Sequence, residues 1–132
     1  MKKVLVVGSL NMDMVLSVDH HPVPGETIIG DGITYHPGGK GANQAYAVGK
    51  LGGDVRIIGC VGWDNNGMIL TENLAQAGVD TTAINRMPEA PTGMAIIDVD
   101  KKGDNSIIVI SGANACLTPD LLRKQKAYVE WS

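Results

Sequence analysis

Apolar residues run along this chain in two rhythms. Val4-Leu5-Val6-Val7 is an unbroken apolar run closed by Gly8, the pattern of a strand buried on both faces, as in a parallel sheet. Val55 to Ile58 predicts another buried strand, and Thr81 to Asn85 predicts a third, shorter strand. Gly41 to Leu51 follows a helical period instead. Ala42, Ala45 and Gly49 share one face at i, i+3 and i+7, so that face can lie close against a sheet, and Gly52-Gly53 ends the helix. Asp64 is placed to cap a helix from about Asn65 to Ala77, stopped by Gly78. Thr118-Pro119-Asp120 combines a cap, a proline at the first helical position and an acid in the first turn. The helix it opens runs through Leu121, Leu122 and Val129.

Strand–helix alternation of this kind predicts an α/β fold with a mainly parallel sheet. Two stretches break the alternation. Met14 to Val18 predicts a short strand, and Thr27–Ile29 and Ile33–Tyr35 flank Gly30-Asp31-Gly32 as a hairpin. Gly93 to Val99 and Ser106 to Ile110 are strand-like and joined by the polar turn Asp100-Lys101-Lys102-Gly103-Asp104-Asn105. Residues 14–35 and 93–110 are therefore expected to form a small, separate antiparallel patch, placed as a lid over a site.

Composition narrows the class. A chain of 132 residues suits one domain, here residues 1–132, with a real core. The sequence has no Phe, so that core rests on Val, Ile, Leu, Met and Ala. A net charge of −3 with interspersed signs excludes a nucleic-acid groove or a basic membrane face. The apolar run after Met1-Lys2-Lys3 stops at Gly8, too short for a signal-peptide core or a membrane span. Cys60 and Cys116 match no metal spacing and are expected to be buried thiols of a cytoplasmic protein. His20, His21 and His36 have no ligand spacing either and are expected in exposed loops.

Two segments carry candidate chemistry. Gly8-Ser9-Leu10-Asn11-Met12-Asp13 follows the first strand, where open α/β sheets bind ligands. Asn11 and Asp13 are two apart and point the same way in extended backbone. An Asp carboxylate accepts from neighbouring hydroxyls, while Asn both donates and accepts, so the pair suits a polyol; the alternative is an Asx-capped turn. The second segment is His36-Pro37-Gly38-Gly39-Lys40-Gly41-Ala42-Asn43-Gln44-Ala45. A glycine turn entering a helix aims free N–H groups at an oxygen-rich ligand. It lacks the Ser or Thr that a P-loop needs after Gly-Lys, and Gln44 stands where a dinucleotide fingerprint needs glycine. A structural turn with a solvated Lys40 is the alternative.

Taken together, Val-Gly-Ser-Leu-Asn-Met-Asp at 7–13, Pro-Gly-Glu-Thr at 24–27 and Gly-Gly-Lys-Gly-Ala-Asn-Gln-Ala at 38–45 resemble the N-terminal part of the ribokinase-like carbohydrate kinase family. Gly59-Cys60-Val61-Gly62-Trp63-Asp64 with Gly67, Ala77-Gly78-Val79-Asp80-Thr81, Pro91-Thr92-Gly93 and Ser111-Gly112-Ala113-Asn114 extend the resemblance along the whole chain. It implies a three-layer α/β/α sandwich with a small β-sheet lid, and a homodimer formed through that lid. It implies ATP-dependent phosphorylation of the 5-hydroxyl of ribose, with Mg2+ and a monovalent cation (K+). Asn11 and Asp13 match the family's sugar-hydroxyl ligands, and Gly39, Lys40 and Asn43 match the second wall of the sugar site. Asp13 is then a binding carboxylate and not the base.

The family's catalytic base lies in a C-terminal Asp-Thr-x-Gly-Ala-Gly-Asp motif that does not occur in these residues. The resemblance therefore places the base, the ATP segments, the cation site and a further sugar-closing glutamate beyond residue 132, and implies that the chain alone is inactive. Another carbohydrate or nucleoside kinase of the same family, and a non-catalytic sugar-binding or interaction module, remain as alternatives.

Overall fold

Two sheets organise the chain, and the computed structural model describes residues 2–132. The first is parallel, in the order β1 (Lys3–Val7), β4 (Asp54–Gly62), β5 (Ile84–Met87). The second has the order β3 (Gly32–Gly38), β2 (Asn11–Ser17), β6 (Gly93–Val99), β7 (Asn105–Ile110). Helices α1 (Lys40–Lys50) and α2 (Asn65–Gln76) follow β3 and β4, and a 3-10 turn (Gly112–Cys116) leads to α3 (Pro119–Lys124) and α4 (Lys126–Trp131).

The parallel sheet is the middle of three layers. Val4 and Val6 on β1 pair with Val55 and Ile57 on β4, and all four pack in one core with Ala42 and Ala45 of α1 and Leu70 and Leu74 of α2. Residues of opposite parity face the other way. Lys3 and Arg56 cover the indole of Trp131 on α4, with the Arg56 guanidinium 4.0 Å from the ring centre. The alternation thus separates α1 and α2 from α4 across the sheet. The expectation that β1 is buried on both faces fails on the α4 side, where a two-turn helix leaves Val7 44% exposed.

The second sheet is mixed rather than antiparallel. β2 pairs antiparallel with β3 and β6 with β7, but β2 and β6 run parallel, with Asn11 opposite Gly93. The predicted hairpin across Gly30-Asp31-Gly32 does not form. Residues 27–29 are not a strand, and Ile33 to Tyr35 pair with Met14 to Leu16 instead. Alternation within the segment could not reveal that the longer β2 offers the better partner. Pro37 is tolerated in β3 because that strand is a sheet edge.

Capping decides the helix starts. Asp64 accepts from the Gly67 amide at 2.8 Å, and Thr118 accepts from Leu121 at 3.2 Å. The last helix breaks at Gln125 into α3 and α4; Gln125 reaches Asn85 Nδ2 at 3.1 Å with its side-chain oxygen. The third strand sits three residues later than predicted, because Thr82 bonds back to Asp80 Oδ1 through its amide and hydroxyl and makes that segment a turn. Cys60 is buried, and burial first, then Cys116 and Glu89, push its thiol up to about 11. Cys116 is only half-buried, unlike the expectation. His36 lies in β3, not in a loop, though it is exposed.

Candidate functional site

The start of β2 and the start of α1 meet at one place. β2 follows Gly8-Ser9-Leu10 at the carboxyl end of β1, and α1 follows Gly39 at the end of β3. Gly41 packs its Cα on the Gly8 backbone, where a Cβ would come within 2.7 Å of the Gly8 carbonyl carbon. Gly39 takes φ 98°, and a Cβ there would meet Ser9 O at 2.6 Å and the Asn11 amide at 2.9 Å. Only glycine fits both the backbone angle and the space. The expected glycine loop thus shrinks to Gly39 alone, between the end of β3 and the first turn of α1. No side chain caps α1; the Ala42 amide donates to Ser9 O at 3.0 Å. The Asn43 amide donates to Gly39 O at 2.8 Å, so the Lys40 and Gly41 N–H groups are the ones left for a ligand oxygen.

Ser9, Asn11, Gly39, Lys40, Asn43, Val109, Ser111 and Asn114 line a cavity of about 430 Å³ here. Four of the five residues singled out from the sequence are among them. Lys40 lines the cavity and has no carboxylate within 4.0 Å among the described residues. Asp13 is outside this lining. It stands one step along β2 on the Asn11 side, its carboxylate lying over Gly38, where a Cβ would meet Oδ2 at 2.5 Å. Burial raises the Asp13 pKa, with His36 across the strand pair pulling the other way. No hydrogen bond to Asp13 is formed by the side chains of the described residues, which leaves an acceptor-only group for a ligand.

Asn43 also borders a second hollow of about 280 Å³ with His36, Tyr46, Leu70 and Asn73. That hollow lies on the α2 side and takes in neither Asn11 nor Asp13. The 430 Å³ cavity is the one where the two sequence segments converge, so it is the candidate site.

Ser9, Val109, Ser111 and Asn114 were not singled out as ligands. Asn114 lies more than a hundred positions from Leu10, yet its side chain accepts from Leu10 N and donates to Leu10 O, each at 3.0 Å. Local pattern carries no trace of such a contact. A second tie holds the two sheets together beside the site. Thr92 is 2% exposed; its hydroxyl accepts from Gly62 N at 2.9 Å and donates to Asp64, which also accepts from Thr92 N at 2.9 Å. Burial pushes the Asp64 pKa up, but these bonds and the one from Gly67 hold it below the usual carboxylate value.

Among the described residues no three His, Cys, Asp or Glu side chains gather as a metal site, and no helix is long and apolar enough to cross a membrane. Comparison with known proteins places the arrangement. The model of the pfkB family carbohydrate kinases matches residues 1–131. The ribokinase of Haemophilus influenzae is 44% identical over 99% of this chain, and that of Bacillus subtilis 43% identical over 90%. This chain spans 43% and 40% of those two proteins' lengths. The solved structure of Arabidopsis thaliana ribokinase complexed with ribose and ATP superposes with a TM-score of 0.80 at 36% identity, covering 85% of this chain and 36% of that one.

Proposed function

Because the chain belongs to the pfkB family of carbohydrate kinases, we propose that it carries the sugar-binding side of an ATP-dependent ribose kinase. The observation that carries the reading is the convergence of Asn11, Gly39, Lys40 and Asn43 on one cavity, with Asp13 beside it. Ribose offers neighbouring hydroxyls, each a donor and an acceptor. Asp13 would accept, Asn11 and Asn43 would add amide hydrogen bonds, Lys40 and the α1 amides would donate, and Gly39 would let backbone approach the ring. Burial of a carboxylate without a protein partner is costly, and a sugar hydroxyl at Asp13 would relieve that cost.

Phosphoryl transfer depends on positioning the attacking hydroxyl, on charge stabilisation and on a base. The role of these residues is the first of the three. ATP would be the co-substrate, with Mg2+ and K+ supporting it, and no residue of this chain is assigned to any of them. The base and nucleotide segments belong, in this reading, to sequence outside these 132 residues. The second sheet, residues 14–35 and 93–110 in outline, would act as the lid. Its edge strand β7 carries Ile107, Ile108, Val109 and Ile110, all exposed, and an exposed apolar edge of this kind suits pairing with a second copy. A cytoplasmic setting, which the two unpaired cysteines favour, belongs to the same reading.

Competition calorimetry tests the proposal. D-ribose is expected to bind the chain and to be displaced poorly by adenosine. Adenosine outcompeting ribose would move the assignment to a nucleoside kinase of the same family. With MgATP added, the chain alone is expected to yield no ribose 5-phosphate, and turnover above background would refute that part.

A further inference from the structure

Backbone groups fix the orientation of the Asn114 amide. The Leu10 N–H can only donate, so the Asn114 atom 3.0 Å from it is the oxygen. The Leu10 carbonyl can only accept, so the Asn114 atom 3.0 Å from it is the nitrogen. That nitrogen has one hydrogen left, and it meets the Asn11 side chain at 2.7 Å. The Asn11 atom there must be an acceptor, its Oδ1. Asn11 therefore has its oxygen occupied by Asn114 and its NH2 turned away from it, with no protein acceptor among the described side-chain bonds.

Gly93 makes the pairing possible. It sits opposite Asn11 in the parallel β2–β6 ladder. A Cβ at Gly93 would run into both Asn114 Nδ2 and Asn11 Oδ1. The two amides occupy the volume where any other residue would put its side chain.

We propose that Asn114, with room left by Gly93, is a positioning residue that fixes the Asn11 amide so that its NH2 is the donor to a sugar hydroxyl oxygen. Asn11 then donates and Asp13 accepts, two residues apart on one strand face. The pair reads one hydroxyl by its lone pairs and the next by its proton. This inference rests on the sugar-site reading above.

Asn114→Asp separates positioning from simple packing. It keeps an acceptor for Leu10 N–H, removes the nitrogen that donates to both Leu10 O and Asn11 Oδ1, and invites Asn11 to turn its nitrogen inward. D-ribose affinity by calorimetry is expected to fall at least tenfold. In an Asn11→Ala background the same change is expected to cost less than twofold, because the group it orients is gone. Unchanged affinity, or an equal loss in both backgrounds, would overturn the proposal. A readout on the unsubstituted chain covers the case in which the variant does not fold. By NMR, the Asn114 side-chain NH2 should exchange slowly with water and the Asn11 NH2 fast, with ribose slowing the latter; fast exchange at Asn114 overturns the proposal. If the unsubstituted chain binds no ribose, the functional reading falls, and the exchange rates in the free chain alone decide this one.

Discussion

Gly39→Ala probes the joint between α1 and β2 with a built-in control. Gly39 and Gly52 both hold positive φ, 98° and 80°. Around Gly52 a Cβ would meet nothing within 4 Å, whereas at Gly39 it would meet Ser9 O at 2.6 Å and both Leu10 Cα and Asn11 N at 2.9 Å. Gly52→Ala thus reads backbone strain alone, about 1–2 kcal/mol, and Gly39→Ala adds overpacking against backbone, about 1–3 kcal/mol. The loss of unfolded-state entropy on replacing glycine is shared and drops out of the difference. Gly39→Ala should therefore be the less stable variant by about 1–3 kcal/mol. At roughly 4 °C per kcal/mol for a domain of this size, that is about 4–12 °C in Tm. Circular dichroism melts of the two variants side by side make the measurement, with ribose titrations on the same samples. Ribose affinity should fall at least about tenfold, or ~1.4 kcal/mol, in Gly39→Ala and stay unchanged in Gly52→Ala. Equal melts would refute the close-approach argument, since both replacements put an L side chain at positive φ and only Gly39 adds the backbone contacts.

Asp13→Asn should stabilise the free chain near neutral pH and weaken ribose binding. The raised pKa means that the folded state holds the proton more tightly than the unfolded one, so stability falls as pH rises through that window. Urea unfolding from pH 4 to 7 should be flatter in the variant. Thr92→Val strips the acceptor from the buried Gly62 amide and a donor from Asp64. It should cost about 1–3 kcal/mol. It should also shrink the stability that Asp64 contributes above its unfolded pKa and loses as pH falls through its lowered folded pKa; acid titration of the two chains compares them. His20 bonds Glu26 and Asp19, each at 3.0 Å, and these partners raise its pKa. Its NMR titration midpoint should lie above 6.5, moving down in Glu26→Gln; a midpoint at or below 6.5 would discount both contacts.

Local chemistry made the helix starts legible. Asp64 and Thr118 sit where short side chains reach the third amide ahead, so their roles follow from spacing. β1 and β4 of the parallel sheet were equally readable, because an apolar run such as Val4 to Val7 has few other uses. Strand partners were not. Ile33 to Tyr35 look alike whether they pair with residues 27–29 or with β2, and only the tertiary fold chooses. For the candidate site, Asn11, Gly39, Lys40 and Asn43 were legible as cavity-lining candidates because two short motifs each carry several of them. Asn114 was visible only as part of a motif without a role. Its bonds to Leu10 and Asn11 span the chain, and no periodicity encodes them. Asp13 was expected as a ligand alongside Asn11, yet it stands beside the cavity lining rather than in it.

Amide chemical-shift mapping with D-ribose tests the central claim most directly. The account predicts saturable shifts centred on Ser9, Asn11, Asp13, Gly39 to Asn43 and Asn114, fading towards α4. No saturable shift, or one centred on the hollow at Tyr46 and Asn73, would contradict it.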